Sequence, residues 1–162
     1  MNIGLHFTGG EPFLNYSLLV SLVKMASNLD MSSLFVETIA FWAISDDDTR
    51  EKLLQLREAG LHGILVSVNS FILEYVPFER TLRAIRISRD IFRDNLIVYQ
   101  RYFYHQFRTL DITQRLSFGD YVKKAGLSGL YSAEIIPMGR ACYQLNRFSE
   151  NIRLKDSLIN HV

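Results

Sequence analysis

The stretch Thr8-Gly9-Gly10-Glu11-Pro12 holds the residue types best suited to taking hold of a ligand. Two adjacent glycines let the backbone adopt angles closed to other residues and approach a ligand with no side chain in the way. Glu11 and Pro12 fit the start of a helix, where a carboxylate meets the positive dipole end and proline loses no needed N–H. A plain strand-to-helix turn that binds nothing has the same composition, so the surrounding residues decide between the two. Glu37 and Thr38 lie inside an apolar run, and a carboxylate there needs partners or a wet cavity. Ser67 and Asn69 share one face of a further run, because side chains alternate along a strand. Gln100 and Arg101 fall near the C-terminal end of another predicted strand, the end where parallel-barrel enzymes place their chemistry.

The elements that must position these residues follow from periodicity. Ile3, Leu5 and Phe7 alternate with Gly4, His6 and Thr8, which predicts a strand, with His6 packed in it and not acting as a ligand. A helix is predicted over residues 15–28, its Leu18, Leu22, Met25 and Leu29 forming a stripe expected to face the core. Further strands are predicted over residues 34–43, 63–69, 95–102 and 130–136. Ser45 caps a helix opened by Asp46, Asp47 and Asp48, acids that suit the helix dipole better than a metal, and Gly60 stops it. The helix from Phe78 to Phe92 places Arg80, Arg83, Arg86, Arg89 and Arg93 on one face, expected to be a solvated outer surface and not a nucleic-acid patch. Tyr99, Tyr102, Phe103, Tyr104 and Phe107 are expected mainly to pack in the core. A polar linker leads to a short helix, residues 118–125, closed by Gly126. Strands alternating with helices imply right-handed βαβ units and a parallel sheet, either doubly wound or closed toward a barrel.

Composition bounds the class. The 162 residues are 48% hydrophobic and 22% charged with a net charge of +1, a globular balance with no strong pull toward nucleic acid or anionic membrane. One domain is expected at this length, and no run matches a membrane span or a signal peptide, which makes a cytoplasmic location the default. Cys142 is the only cysteine, so the chain can form neither an internal disulfide nor a thiolate cluster.

The run HFTGGEPFLN resembles the GGEP motif of the radical S-adenosylmethionine (SAM) superfamily. A second run, Ile135-Ile136-Pro137-Met138-Gly139-Arg140-Ala141, resembles the ending of that family's sixth strand. The resemblance implies an open, partial α/β barrel over residues 1–141, beginning at the family's second strand, with residues 142–162 a polar, helix-compatible extension. It implies that Gly9, Gly10, Glu11 and Pro12 hold the methionine end of SAM, and that Ser67 and Asn69 lie toward the ribose. VETIAF, with Glu37 and Thr38, is similar to the family's third strand, but Ile39 and Ala40 replace the usual Asn-Gly. The family also binds a [4Fe–4S] cluster through a CxxxCxxC motif, and those ligands are absent from this chain.

Two function readings stand side by side. The chain is a fragment or truncated form of a radical SAM enzyme, inactive alone, whose full form would generate a 5′-deoxyadenosyl radical. Alternatively, it is a cluster-less relative that binds a nucleotide-like ligand or another protein. In either case, an uncovered strand at residues 3–7 is expected to drive self-association or to recruit a partner chain. Substrate, catalytic residues and the roles of Glu37, Arg101 and Arg140 are not legible at this level.

Overall fold

The computed structural model describes residues 4–29 and 31–126. Four strands, β1 (Gly4–Phe7), β2 (Ser33–Thr38), β3 (Gly63–Ser67) and β4 (Leu96–Tyr99), form one parallel sheet in the order β1-β2-β3-β4. Between them run α1 (Tyr16–Ser27), α2 (Asp46–Glu58) and α3 (Phe78–Phe92), and α4 (Arg101–Thr109) and α5 (Phe118–Ala125) follow β4. The class is therefore α/β with sequential parallel strands. The run at residues 130–136 and the IIPMGRA ending, with Arg140 and Cys142, lie outside the described residues.

Alternation sorts the sheet into two faces. Leu34, Val36 and Thr38 of β2 and Ile64 and Val66 of β3 are buried against the helix layer. On the opposite face Phe35, Glu37 and Leu65 are only half-buried, and Ile97 and Tyr99 stand largely open. Gly63 is required where β3 passes between its neighbours, since a Cβ there would lie 2.3 Å from the Asn95 carbonyl and 2.4 Å from the Phe35 ring. The helix layer closes with an aromatic group in which Phe103 and Phe107 of α4 meet Phe78 of α3 and Tyr121 of α5.

Helix boundaries follow local chemistry. Asn15 accepts from the Leu18 N–H at 3.2 Å and starts α1, Ser45 accepts from the Asp48 N–H and starts α2, and Ser117 does the same for α5. Gly60 and Gly126, both at positive φ, end α2 and α5 as predicted.

Five expectations need correction, the first being that His6, expected to pack within its strand, is exposed on β1. The run at residues 34–43 is a strand only to Thr38, because the Thr38 hydroxyl accepts from the Ala40 N–H (3.0 Å) and the Trp42 indole (2.8 Å), closing a turn with Ala40 at φ 62°. The strand predicted over residues 95–102 ends at Tyr99, because Gln100 takes a left-handed conformation and Arg101 opens α4. On α1, Leu19, Val20, Val23 and Ala26 face the core, whereas Leu18, Leu22, Met25 and Leu29 are exposed. That helix has two apolar sectors, and periodicity alone cannot say which one is covered. The arginine face is also no uniform solvated surface, for Arg80 donates to the Phe41 carbonyl and Arg83 to the Ala43 carbonyl and Asp46. Arg86 joins the same Asp46 carboxylate at 2.6 Å, and this pair of guanidinium groups holds the acid below the usual carboxylate range.

Candidate functional site at the strand ends

Gly9 and Gly10 leave β1 with φ of 89° and 56°, the left-handed region that L side chains rarely adopt. A Cβ built on either glycine would meet nothing within 4 Å among the described residues, so the loop backbone faces open space. Glu11 caps the 3₁₀ turn Pro12–Asn15 that follows, with Pro12 at its first position, as its type suggested.

The Glu11 carboxylate ties this loop to the end of β2. One oxygen accepts from the Thr38 hydroxyl at 2.9 Å and the Phe13 N–H at 3.2 Å, and the other accepts from the Ile39 N–H at 2.7 Å. Burial pushes its pKa above the ordinary carboxylate value, partly offset by the donors from Ile39, Thr38 and Phe13. Behind it, Phe13 stacks on Trp42 with centroids 4.0 Å apart and planes 6° apart. Glu11 is thus the residue that fixes the glycine loop in space.

A second carboxylate, Glu37, links three strand ends on the open face. It accepts from the Thr8 hydroxyl at 2.8 Å and from the Ser67 hydroxyl at 2.7 Å, with the His6 ring 4.0 Å away. Asn69 is engaged differently. Its side-chain oxygen accepts from the Phe71 and Ile72 N–H groups, and its amide donates to Gln100 at 3.0 Å. Below these groups, toward the N-terminal ends of the strands, the open face holds a groove of about 240 Å³, lined in part by His6, Phe35, Leu65 and Ile97.

Of the residues singled out in the sequence, Gly9, Gly10 and Ser67 are brought to one end of the sheet and joined through Thr8 and Glu37. Asn69 lies beside Ser67 in the chain but turns to cap the next segment. Arg101 is not part of this group, because it begins α4 on the far side of the Gln100 turn. Thr38 and Trp42 were missed as the supports of Glu11. Their signal was a polar residue at the last position of a strand and an aromatic residue four further on.

Such an arrangement offers exposed glycine backbone beside a fixed carboxylate, hydroxyls and an imidazole, over a partly apolar floor. It suits a small polar ligand lying across the C-terminal ends of parallel strands, the usual place for ligands in α/β sheets. Among the described residues, no group of three or more His, Cys, Asp or Glu side chains converges as a metal site. No family model matches the chain, and no curated protein or solved structure matches it.

Proposed function

We propose that this chain is the SAM-holding part of a radical SAM enzyme, with a partial barrel as its full architecture. Gly9 and Gly10 receive the methionine end of SAM through their backbone carbonyls, Glu11 and Pro12 fix that loop, and Ser67 and Asn69 lie toward the ribose. The observation that carries this reading is the left-handed, unobstructed backbone at Gly9 and Gly10, held at the strand end by Glu11. The Glu11 carboxylate is already engaged by three donors, so its role here is to position the loop. Ser67 donates to Glu37 and keeps lone pairs for a ligand hydroxyl, whereas Asn69 has both of its polar atoms in use.

A [4Fe–4S] cluster does not fit the residues present. Cys142 is the single cysteine in the 162 residues, and clusters of this kind are held by several thiolates. No cluster chemistry is therefore assigned to this chain, and SAM alone is its proposed ligand.

Protein-observed NMR with added SAM tests the reading. The expected result is saturable shifts at Gly9, Gly10 and Ser67, with a dissociation constant of about 1 mM in the absence of iron chelation. Saturation with no perturbation at the strand ends would count against it.

One observation favours the alternative of a protein-binding module. Leu14, Leu18, Leu22, Met25 and Leu29, on and next to α1, are 40–74% exposed, and β1 is an edge strand among the described residues. In a barrel of the resembled kind a strand and helix would cover this face, and a second polypeptide would serve the same purpose. Among the described residues no helix is long and apolar enough to cross a membrane.

A further inference from the structure

Most arginines packed around α3 are spent on structure. Arg80, Arg83 and Arg86 bind carbonyls and Asp46, and Arg50 pairs with Asp90 at 3.0 Å. Arg89, Arg93 and Arg101 behave differently, for none has a hydrogen bond or ion pair from its side chain among the described residues. All three line one cavity of about 390 Å³ together with His105, on the helix-side face of β4. Its floor includes Leu96 and Val98, and the one carboxylate in its lining, Asp94, pairs with none of the three.

The local design concentrates positive charge here at a cost. Arg89 lies in the last turn of α3, Arg93 just past its end and Arg101 at the start of α4, and all three border the same cavity with His105. Three guanidinium groups around one cavity repel one another unless something neutralises them. Arg101 opens α4, where the helix dipole disfavours a cation, so helix stabilisation does not account for its charge. Two non-glycine residues at positive φ hold the pieces in place, Arg93 at 52° and Gln100 at 60°, at either end of β4. Backbone held in that region is strained and collects at ligand sites.

We propose that Arg89, Arg93 and Arg101, with His105, form a binding site for a phosphorylated small molecule, whose phosphoryl group sits between the guanidinium groups. Guanidinium matches phosphate oxygens through paired N–H donors, and several such groups favour a dianion over a carboxylate. The volume falls within the range of small-molecule sites, and the cavity is concave where a nucleic-acid surface would be an extended stripe. The half-buried Leu96 and Val98 and the Tyr104 ring supply apolar contact for the organic part of the ligand. The site opens on the opposite face of β4 from Ile97 and Tyr99, so it does not depend on the SAM reading.

Calorimetric titration with inorganic pyrophosphate and with adenosine monophosphate, against sodium chloride at matched ionic strength, tests this. The proteins are the full chain and two variants, Arg89→Gln/Arg93→Gln/Arg101→Gln and Arg115→Gln, the second a control for an exposed arginine elsewhere. All the changed side chains are exposed, so circular dichroism should show the same fold in each. Saturable binding at about 1 mM or tighter, weakened at least about tenfold in the triple variant and unchanged in Arg115→Gln, is the expected result. Absence of saturable binding, or equal binding in the triple variant, would overturn the proposal. A single-stranded RNA oligonucleotide that binds through these arginines and is not displaced by pyrophosphate would overturn it too, in favour of a nucleic-acid surface.

Discussion

Glu11 shows how one side chain can be read correctly by type and still act in an unexpected way. Its place before Pro12 announced a helix start, and it does accept from the Phe13 N–H. Its larger role, bridging to Thr38 and Ile39 across 27 and 28 residues, is a long-range fact that no local pattern encodes. Glu11→Gln should destabilise the fold by about 1–3 kcal/mol, since an amide NH₂ would face at least one buried donor that loses its acceptor. Urea unfolding measures this. The pH dependence has a definite sign. Because burial raises the folded-state pKa of Glu11, the native state binds more protons than the unfolded state between the ordinary carboxylate value and the raised one. Its contribution to stability is therefore largest below the ordinary value and falls as pH rises through that window. Glu11→Gln should flatten this slope, and an unchanged pH profile would show that another group carries it.

At the scale of elements, strands and helices were legible where one face only was apolar. Residues 78–92 and 118–125 fit this description, and these helices, like the apolar strand at residues 63–67, form at nearly the predicted bounds. α1 defeated the same logic because Leu19, Val20 and Val23 compete with Leu18, Leu22 and Met25 for the core. α4 was hidden because Tyr102, Phe103 and Tyr104 extend an apolar strand without a proline or glycine to mark the break, and the break is the left-handed Gln100. The exposed sector of α1 repeats at intervals of four, three and four from Leu18 to Leu29, the spacing of a helix–helix seam. Leu22→Gln/Met25→Gln should leave monomer stability within about 0.5 kcal/mol, as exposed positions usually do, while reducing self-association. Light scattering after size exclusion, paired with urea unfolding, separates the two effects. A large loss of stability with unchanged association would show that this sector is packed within the monomer.

For the whole molecule, the described residues give the parallel sheet helices α1 to α3 on one face and leave its second face partly open, whereas all-parallel sheets are normally covered on both. That open face, with Glu37 tying Thr8 to Ser67 above it, is where the proposed ligand lies. Alternating strands and helices predicted the sheet. They could not distinguish a barrel from a doubly wound layer, because that choice depends on what covers the second face. With one cysteine in its sequence, this chain should not cleave SAM by itself. Anaerobic reconstitution with iron and sulfide, then dithionite and SAM, should give no 5′-deoxyadenosine above a protein-free control, and a clear excess would contradict the assignment.

The central claim, that the Gly9-Gly10 backbone receives the methionine end of SAM, is tested most directly by calorimetric titration of wild type and Gly10→Val. The substitution enters open space, so its folding cost is confined to the positive φ, about 1–2 kcal/mol. Circular dichroism on the same samples verifies that both remain folded. The account predicts weak, saturable SAM binding by wild type and none by folded Gly10→Val, because the valine side chain occupies the ligand's approach. Equal binding by the two proteins would contradict it.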